Sequence, residues 1–85
     1  NTKESVEILE GHSDDVYSAD YSPDGKYIVS GSLDGTIKIW NAKKGKCIHT
    51  LEGHSDGVNS VCWSNDGKYI VSGSWDKTIK IWGIE

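Results

Sequence analysis

One 33-residue segment is written twice in this chain. Residues 11–43 (GHSDDVYSADYSPDGKYIVSGSLDGTIKIWNAK) realign without a gap on residues 53–85 (GHSDGVNSVCWSNDGKYIVSGSWDKTIKIWGIE), at an offset of 42 residues, and 22 of the 33 aligned positions are identical. A unit of that length cannot bury its apolar surface alone, which places the chain among arrays that stack one supersecondary unit on further copies of itself.

At 85 residues, a single domain buries only about 60–65% of the surface that its unfolded chain exposes, a marginal situation without disulfides or metals. The two cysteines supply neither. Cys47 and Cys62 form no CxxC motif and stand at no Cys/His ligand spacing, so no metal or cofactor is expected and the thiols read as those of a reduced, cytoplasmic protein. Nine lysines, no arginine, thirteen acidic residues and a formal charge of −4 argue against a nucleic-acid surface. The run Lys43, Lys44, Lys46 around Gly45 reads as a solvated turn. Without a long apolar run, neither a membrane span nor a signal peptide is expected, and the absence of an initiator Met suggests a trimmed or processed fragment.

Within each repeat, short β-branched and aromatic segments are cut by turn signals about every ten residues, the spacing of an antiparallel meander, and no segment has a helical stripe. Asp24-Gly25 and Asp66-Gly67 mark hairpins, because glycine tolerates the positive φ that such turns require. The second strands are Tyr27 to Ser30 and Tyr69 to Ser72. The third strands are Thr36 to Trp40 and Thr78 to Trp82, with Ile37/Ile39 and Ile79/Ile81 on one face and Thr, Lys and Trp on the other. In the first strand alternation fails once, since Val58 and Val61 are three apart while Val61 and Trp63 are two apart. A β-bulge near Asn59 and Ser60, and at Tyr17 and Ser18, restores the phase. Cys47 to Leu51 gives a fourth strand, with Val6 to Leu9 as its counterpart and a total of eight.

A Gly-His dipeptide, then an Asp-Gly-Lys-Tyr-Ile-Val-Ser-Gly-Ser run and a Thr-Ile-Lys-Ile-Trp strand, repeated at a period near 42, resembles the WD-repeat family of β-propellers. The dipeptide that names the family is altered, because Asn41 follows Trp40 and Gly83 follows Trp82. The resemblance implies an all-β fold of four-stranded antiparallel blades, two per chain. It also implies a hydrogen-bonded tetrad in each: His12, Ser30, Asp34 and Trp40, then His54, Ser72, Asp76 and Trp82, with Ser32 or Ser74 as alternative hydroxyls. A hydrolytic reading of His, Ser and Asp is set aside, since neither Ser30 nor Ser72 stands in a GxSxG elbow and the trio recurs at equal spacing, as a structural clamp would. No catalytic residue is assigned, and His49 reads as a solvated side chain.

A propeller hides its sheets by closing a ring of roughly four to eight blades, so two blades cannot close alone. The resulting organisation takes residues 1–10 as an outer strand (Val6, Glu7, Ile8, Leu9) that completes a neighbouring chain's blade. Residues 11–52 form the first repeat, and residues 53–85 a second repeat without its own outer strand. Head-to-tail homo-oligomerisation then closes the ring, with a homotetramer of eight blades favoured over a homotrimer of six.

WD-repeat propellers are as a rule non-enzymatic, and the resemblance implies a partner-binding face at the positions before the tetrad Asp and at the approach to the first strand. These are Leu33 and Trp75, Asp15 and Gly57, Tyr17 and Asn59, all of which differ between the two repeats. Free drift of surface positions would give the same pattern. Two functions are therefore expected. The first is an amplified or engineered scaffold that assembles with itself and has no ligand of its own; the alternative is a module binding a protein or peptide on the varied face.

Overall fold

The computed structural model describes residues 8–84. Seven strands, β1 (Val16–Tyr21), β2 (Tyr27–Ser32), β3 (Thr36–Asn41), β4 (Lys46–Glu52), β5 (Val58–Trp63), β6 (Tyr69–Ser74) and β7 (Ile79–Gly83), form two antiparallel sheets ordered β1-β2-β3-β4 and β5-β6-β7. Each sheet is a meander, as the regular turn spacing requires. Of the expected leading strand, Val6 and Glu7 lie outside the described residues, while Ile8 and Leu9 belong to no strand. The final strand begins at Ile79, not Thr78: Thr36, its counterpart in β3, pairs with Glu52 of β4, and β7 has no such neighbour among the described residues.

Both interruptions of alternation are bulges. The pairing of β1 with β2 shifts between Val16 and Ser18, and that of β5 with β6 between Val58 and Ser60, leaving Tyr17 and Asn59 as the extra residues. A third shift, opposite Ile39 and Trp40, passes over Ile48 in β4. The hairpins after β1 and β5 are built identically. Ser22 Oγ donates to Asp24 Oδ1 at 2.6 Å and Ser64 Oγ to Asp66 Oδ1 at 2.6 Å, with Gly25 and Gly67 at φ 76° and 75°.

The core lies between the sheets. Val29 of β2 and Ile37 and Ile39 of β3 present one face of the first sheet to Val58, Val61 and Trp63 of β5, with Ile70 behind them, and all seven are buried. Ridge-forming aliphatics at every second position give the continuous apolar layer that sheet packing needs. Polar bonds span the same seam: Val61 N donates to Ser18 Oγ at 3.2 Å and Trp63 N to Asp20 Oδ2 at 3.1 Å.

Among the described residues, nothing covers the faces at either end of this two-sheet stack. Ile79 and Ile81 are 75% and 70% exposed, although their counterparts 42 residues earlier, Ile37 and Ile39, are 0% and 1% exposed. On the other side, Val16 and Tyr21 of β1 are exposed where Val58 and Trp63 of β5 are buried. Among the described residues no helix is long and apolar enough to cross a membrane.

Candidate functional site

Each sheet holds a hydrogen-bonded relay assembled from four parts of its repeat. A loop before the first strand brings in the histidine, the second strand the serine, the following turn the aspartate and the third strand the tryptophan. In the first sheet, Trp40 Nε1 donates to Ser30 Oγ at 2.9 Å, His12 Nε2 lies 2.6 Å from the same oxygen, and His12 Nδ1 lies 2.9 Å from Asp34 Oδ2. The second repeats these contacts at 2.8, 2.7 and 2.8 Å for Trp82–Ser72, Ser72–His54 and His54–Asp76.

Donor chemistry fixes the direction of the relay. The ionised Asp34 carboxylate can only accept, so His12 Nδ1–H donates to it; in the uncharged imidazole Nε2 is then the acceptor for the Ser30 hydroxyl, whose oxygen accepts the Trp40 indole hydrogen. The serine, not the aspartate, therefore satisfies the indole. Ser32 and Ser74 do different work, receiving the backbone N–H of Asp34 and of Asp76, each at 3.0 Å.

Asp34 accepts three further donors: Ser13 N at 3.0 Å, Thr36 N at 2.8 Å and Thr36 Oγ1 at 2.6 Å. Burial alone would raise its pKa, but the bonds from Thr36, His12 and Ser13 outweigh that and hold the carboxyl well below the usual range. Asp76 is lowered likewise, foremost by the Thr78 hydroxyl. Sequence reasoning missed Thr36 and Thr78, although their identity in both repeats was a usable signal.

The relay has the atom order of a hydrolytic triad, yet Ser30 is 5% exposed and its oxygen already accepts an indole hydrogen. A shallow cleft of about 150 Å³ beside it is walled by Leu9, Val16, Ala19, Ile28 and Trp40 and lies on the open β1 face. Among the described residues, no group of three or more His, Cys, Asp or Glu side chains is placed to hold a metal ion. Cys47 and Cys62 are free thiols.

The varied positions gather where the two sheets meet. Tyr17 and Trp75, from different repeats, touch edge to face with centroids 5.1 Å apart and an interplanar angle of 68°; each ring is nearly half exposed. Gly57 differs from the expectation of an exposed face residue, because it is buried beneath Leu33 and Trp75. A Cβ there would lie 2.9 Å from Leu33 Cδ1 and 3.1 Å from both Leu33 Cα and the Trp75 ring. Its counterpart Asp15 is exposed, as is Asn59, while Leu33 is half-buried. At the opposite end of the strands, a cleft of about 350 Å³ is lined by Tyr27, Trp63, Ile48, exposed His49 and the two hairpin turns.

Comparison with known proteins agrees with this architecture. The chain is similar to ribosome biogenesis protein BOP1 homologs of Drosophila grimshawi (51% identical over 49 residues, 58% of this chain and 6% of that protein) and Drosophila ananassae (51% over 43 residues, 51% and 5%). A third such homolog, from Drosophila melanogaster, is 49% identical over 49 residues, again 58% of this chain and 6% of that protein. The chain thus spans only about one twentieth of the length of these relatives. The sequence model described as WD domain, G-beta repeat matches residues 3–41 and 45–83, nearly the whole chain, and the protein therefore belongs to the WD-repeat family.

Proposed function

We propose that the chain is a non-enzymatic WD-repeat scaffold whose two open faces pack against further copies of itself to close a ring. The observation that supports this is the exposure of Ile79, Ile81, Val16 and Tyr21, whose counterparts Ile37, Ile39, Val58 and Trp63 already pack together inside the chain. The two open faces are therefore the two halves of one interface that the molecule has made once. Such a contact is head to tail and closes when the rotation per unit divides the circle. Full burial stabilises by about 1.5–3 kcal/mol for each large apolar side chain, about 6–12 kcal/mol for four, the same order as the roughly 4–15 kcal/mol that association costs, so strand pairing at the β7 edge must contribute as well. The edge of β7, unpaired among the described residues, would take Val6 to Leu9 of the next copy, which lie 42 residues before Ile48 to Leu51 of β4. Four chains giving eight blades is the preferred ring, with three giving six as the second choice. Light scattering should return about four, or else three, times the 9.3 kDa chain mass. A folded monomer at every concentration would refute self-assembly and leave the open faces to blades of some other polypeptide.

A second reading is supported by the Tyr17–Trp75 pair, which presents an exposed aromatic ledge at the seam between blades. On this reading the ledge docks a protein or peptide. Trp75→Ala should then lower affinity for any peptide selected on the assembled ring by about 2 kcal/mol or more, whereas an unchanged affinity would remove the ledge from the binding site.

A further inference from the structure

The seam inside the chain serves as a template for a seam between copies, and residue correspondence shows that the two differ. Inside, Ser18 and Asp20 of β1 clamp β5: Val61 N donates to Ser18 Oγ, Trp63 N to Asp20 Oδ2, and Trp63 Nε1 to the Asp20 carbonyl at 3.2 Å. Moving on by 42 residues turns Ser18 and Asp20 into Ser60 and Cys62; moving back by 42 turns Val61 and Trp63 into Ala19 and Tyr21. Between copies the serine survives, but a thiol replaces the carboxylate and a phenol the indole. A thiol accepts hydrogen bonds weakly, and tyrosine has no N–H to send to the carbonyl of residue 62. Alanine also fills less of the core than valine. One more change acts in the same direction. Asp15 stands where the internal seam has Gly57, a place where a Cβ comes within 3.1 Å of the facing Cα.

Resting on the assembly reading above, we infer that the seam between copies, formed by Ser60, Cys62 and Ile79 of one chain against Ala19 and Tyr21 of the next, is the weaker of the two, and that Cys62 limits its strength. The occupant is a second copy of this chain, because the open surfaces keep the apolar residues of the two surfaces already joined at the internal seam, Ile79 and Ile81 for Ile37 and Ile39 and Val16 for Val58. The ring comes apart between chains while each two-sheet unit persists. Cys62, exposed in the single chain, is covered on assembly, and Cys47 on β4 serves as an internal reference.

The test compares the unmodified chain with Cys62→Asp and Asp15→Gly by mass measurement across a dilution series, together with maleimide labelling of the two thiols. All three proteins should reach the same assembled mass. The concentration at half-dissociation should fall by about tenfold or more in Cys62→Asp, the factor that a restored charge-assisted bond to a backbone N–H supplies. It should also fall in Asp15→Gly. In the unmodified protein Cys62 should label slowly when assembled and quickly when diluted, with Cys47 quick in both states. An assembled chain whose Cys62 labels as fast as Cys47, or a Cys62→Asp variant with unchanged half-dissociation, overturns the seam while leaving the assembly standing. A monomer at all concentrations overturns the assembly reading and this inference with it.

Discussion

Replacing Ser30 by alanine removes a single oxygen that two enclosed groups share. The indole N–H of Trp40, a residue 2% exposed, and Nε2 of His12, whose side chain is 4% exposed, would both lose their partner. Each enclosed polar group left unpaired costs about 1–3 kcal/mol, and the missing hydroxyl leaves little empty volume, so the expected loss is about 2–5 kcal/mol. A domain of this size has a total stability on the order of 4–13 kcal/mol, which makes the loss a large fraction of the whole. Urea denaturation followed by far-UV circular dichroism, at fixed chain concentration because assembly adds to apparent stability, should show the midpoint falling by about 1 M or more. Ser30→Thr keeps the hydroxyl and should retain most of the stability. A loss in Ser30→Ala under about 0.5 kcal/mol, the scale of an ordinary surface substitution, would show that the relay does not hold the blade together. Ester hydrolysis that vanished in the same variant would show instead that the Ser-His-Asp order is catalytic.

Asp34 and Asp76 both have lowered native pKa values, so the stability they contribute is fully present above their ordinary 3.8 and is lost as pH falls below it towards the native values. Acid titration of the melting temperature should therefore be steeper below about pH 4 than in an Asp34→Asn/Asp76→Asn variant; parallel curves would contradict the assignment. Lys77 has φ 74° where the first repeat places Gly35 at φ 85°. A left-handed non-glycine residue costs about 1–2 kcal/mol, and glycine returns about 0.4–1 kcal/mol of that through the freer unfolded chain. Lys77→Gly should accordingly raise stability by roughly 0.5–1 kcal/mol, and a lower melting temperature would mean that the lysine side chain makes a contact worth more than the strain.

The duplicated segment by itself determined the meander, the hairpins and the bulges. These depend on interactions within a few residues: glycine at a positive φ, an aspartate closing its own turn, and a phase slip between Val58 and Val61 that only an extra residue absorbs. The membership of the two relays was also legible, because the same four residue types recur at an offset of 42. Their direction was not. Which oxygen meets the Trp40 indole depends on how β2 and β3 are paired, and Ser30 and Ser32 lie on the same face of one strand. Nor did the sequence separate a covered position from an open one, since Gly57 and Asp15, or Ile37 and Ile79, occupy equal places in the repeat. Their burial differs because the first sheet is covered on its Ile37/Ile39 face and the second on its Val58/Trp63 face, while the opposite faces have no neighbour among the described residues. The repeat as matched, residues 45–83, even begins with β4, which hydrogen-bonds into the preceding sheet. Only tertiary structure decides that offset: a strand joins whichever edge offers free N–H and C=O groups, and here that edge belongs to β3.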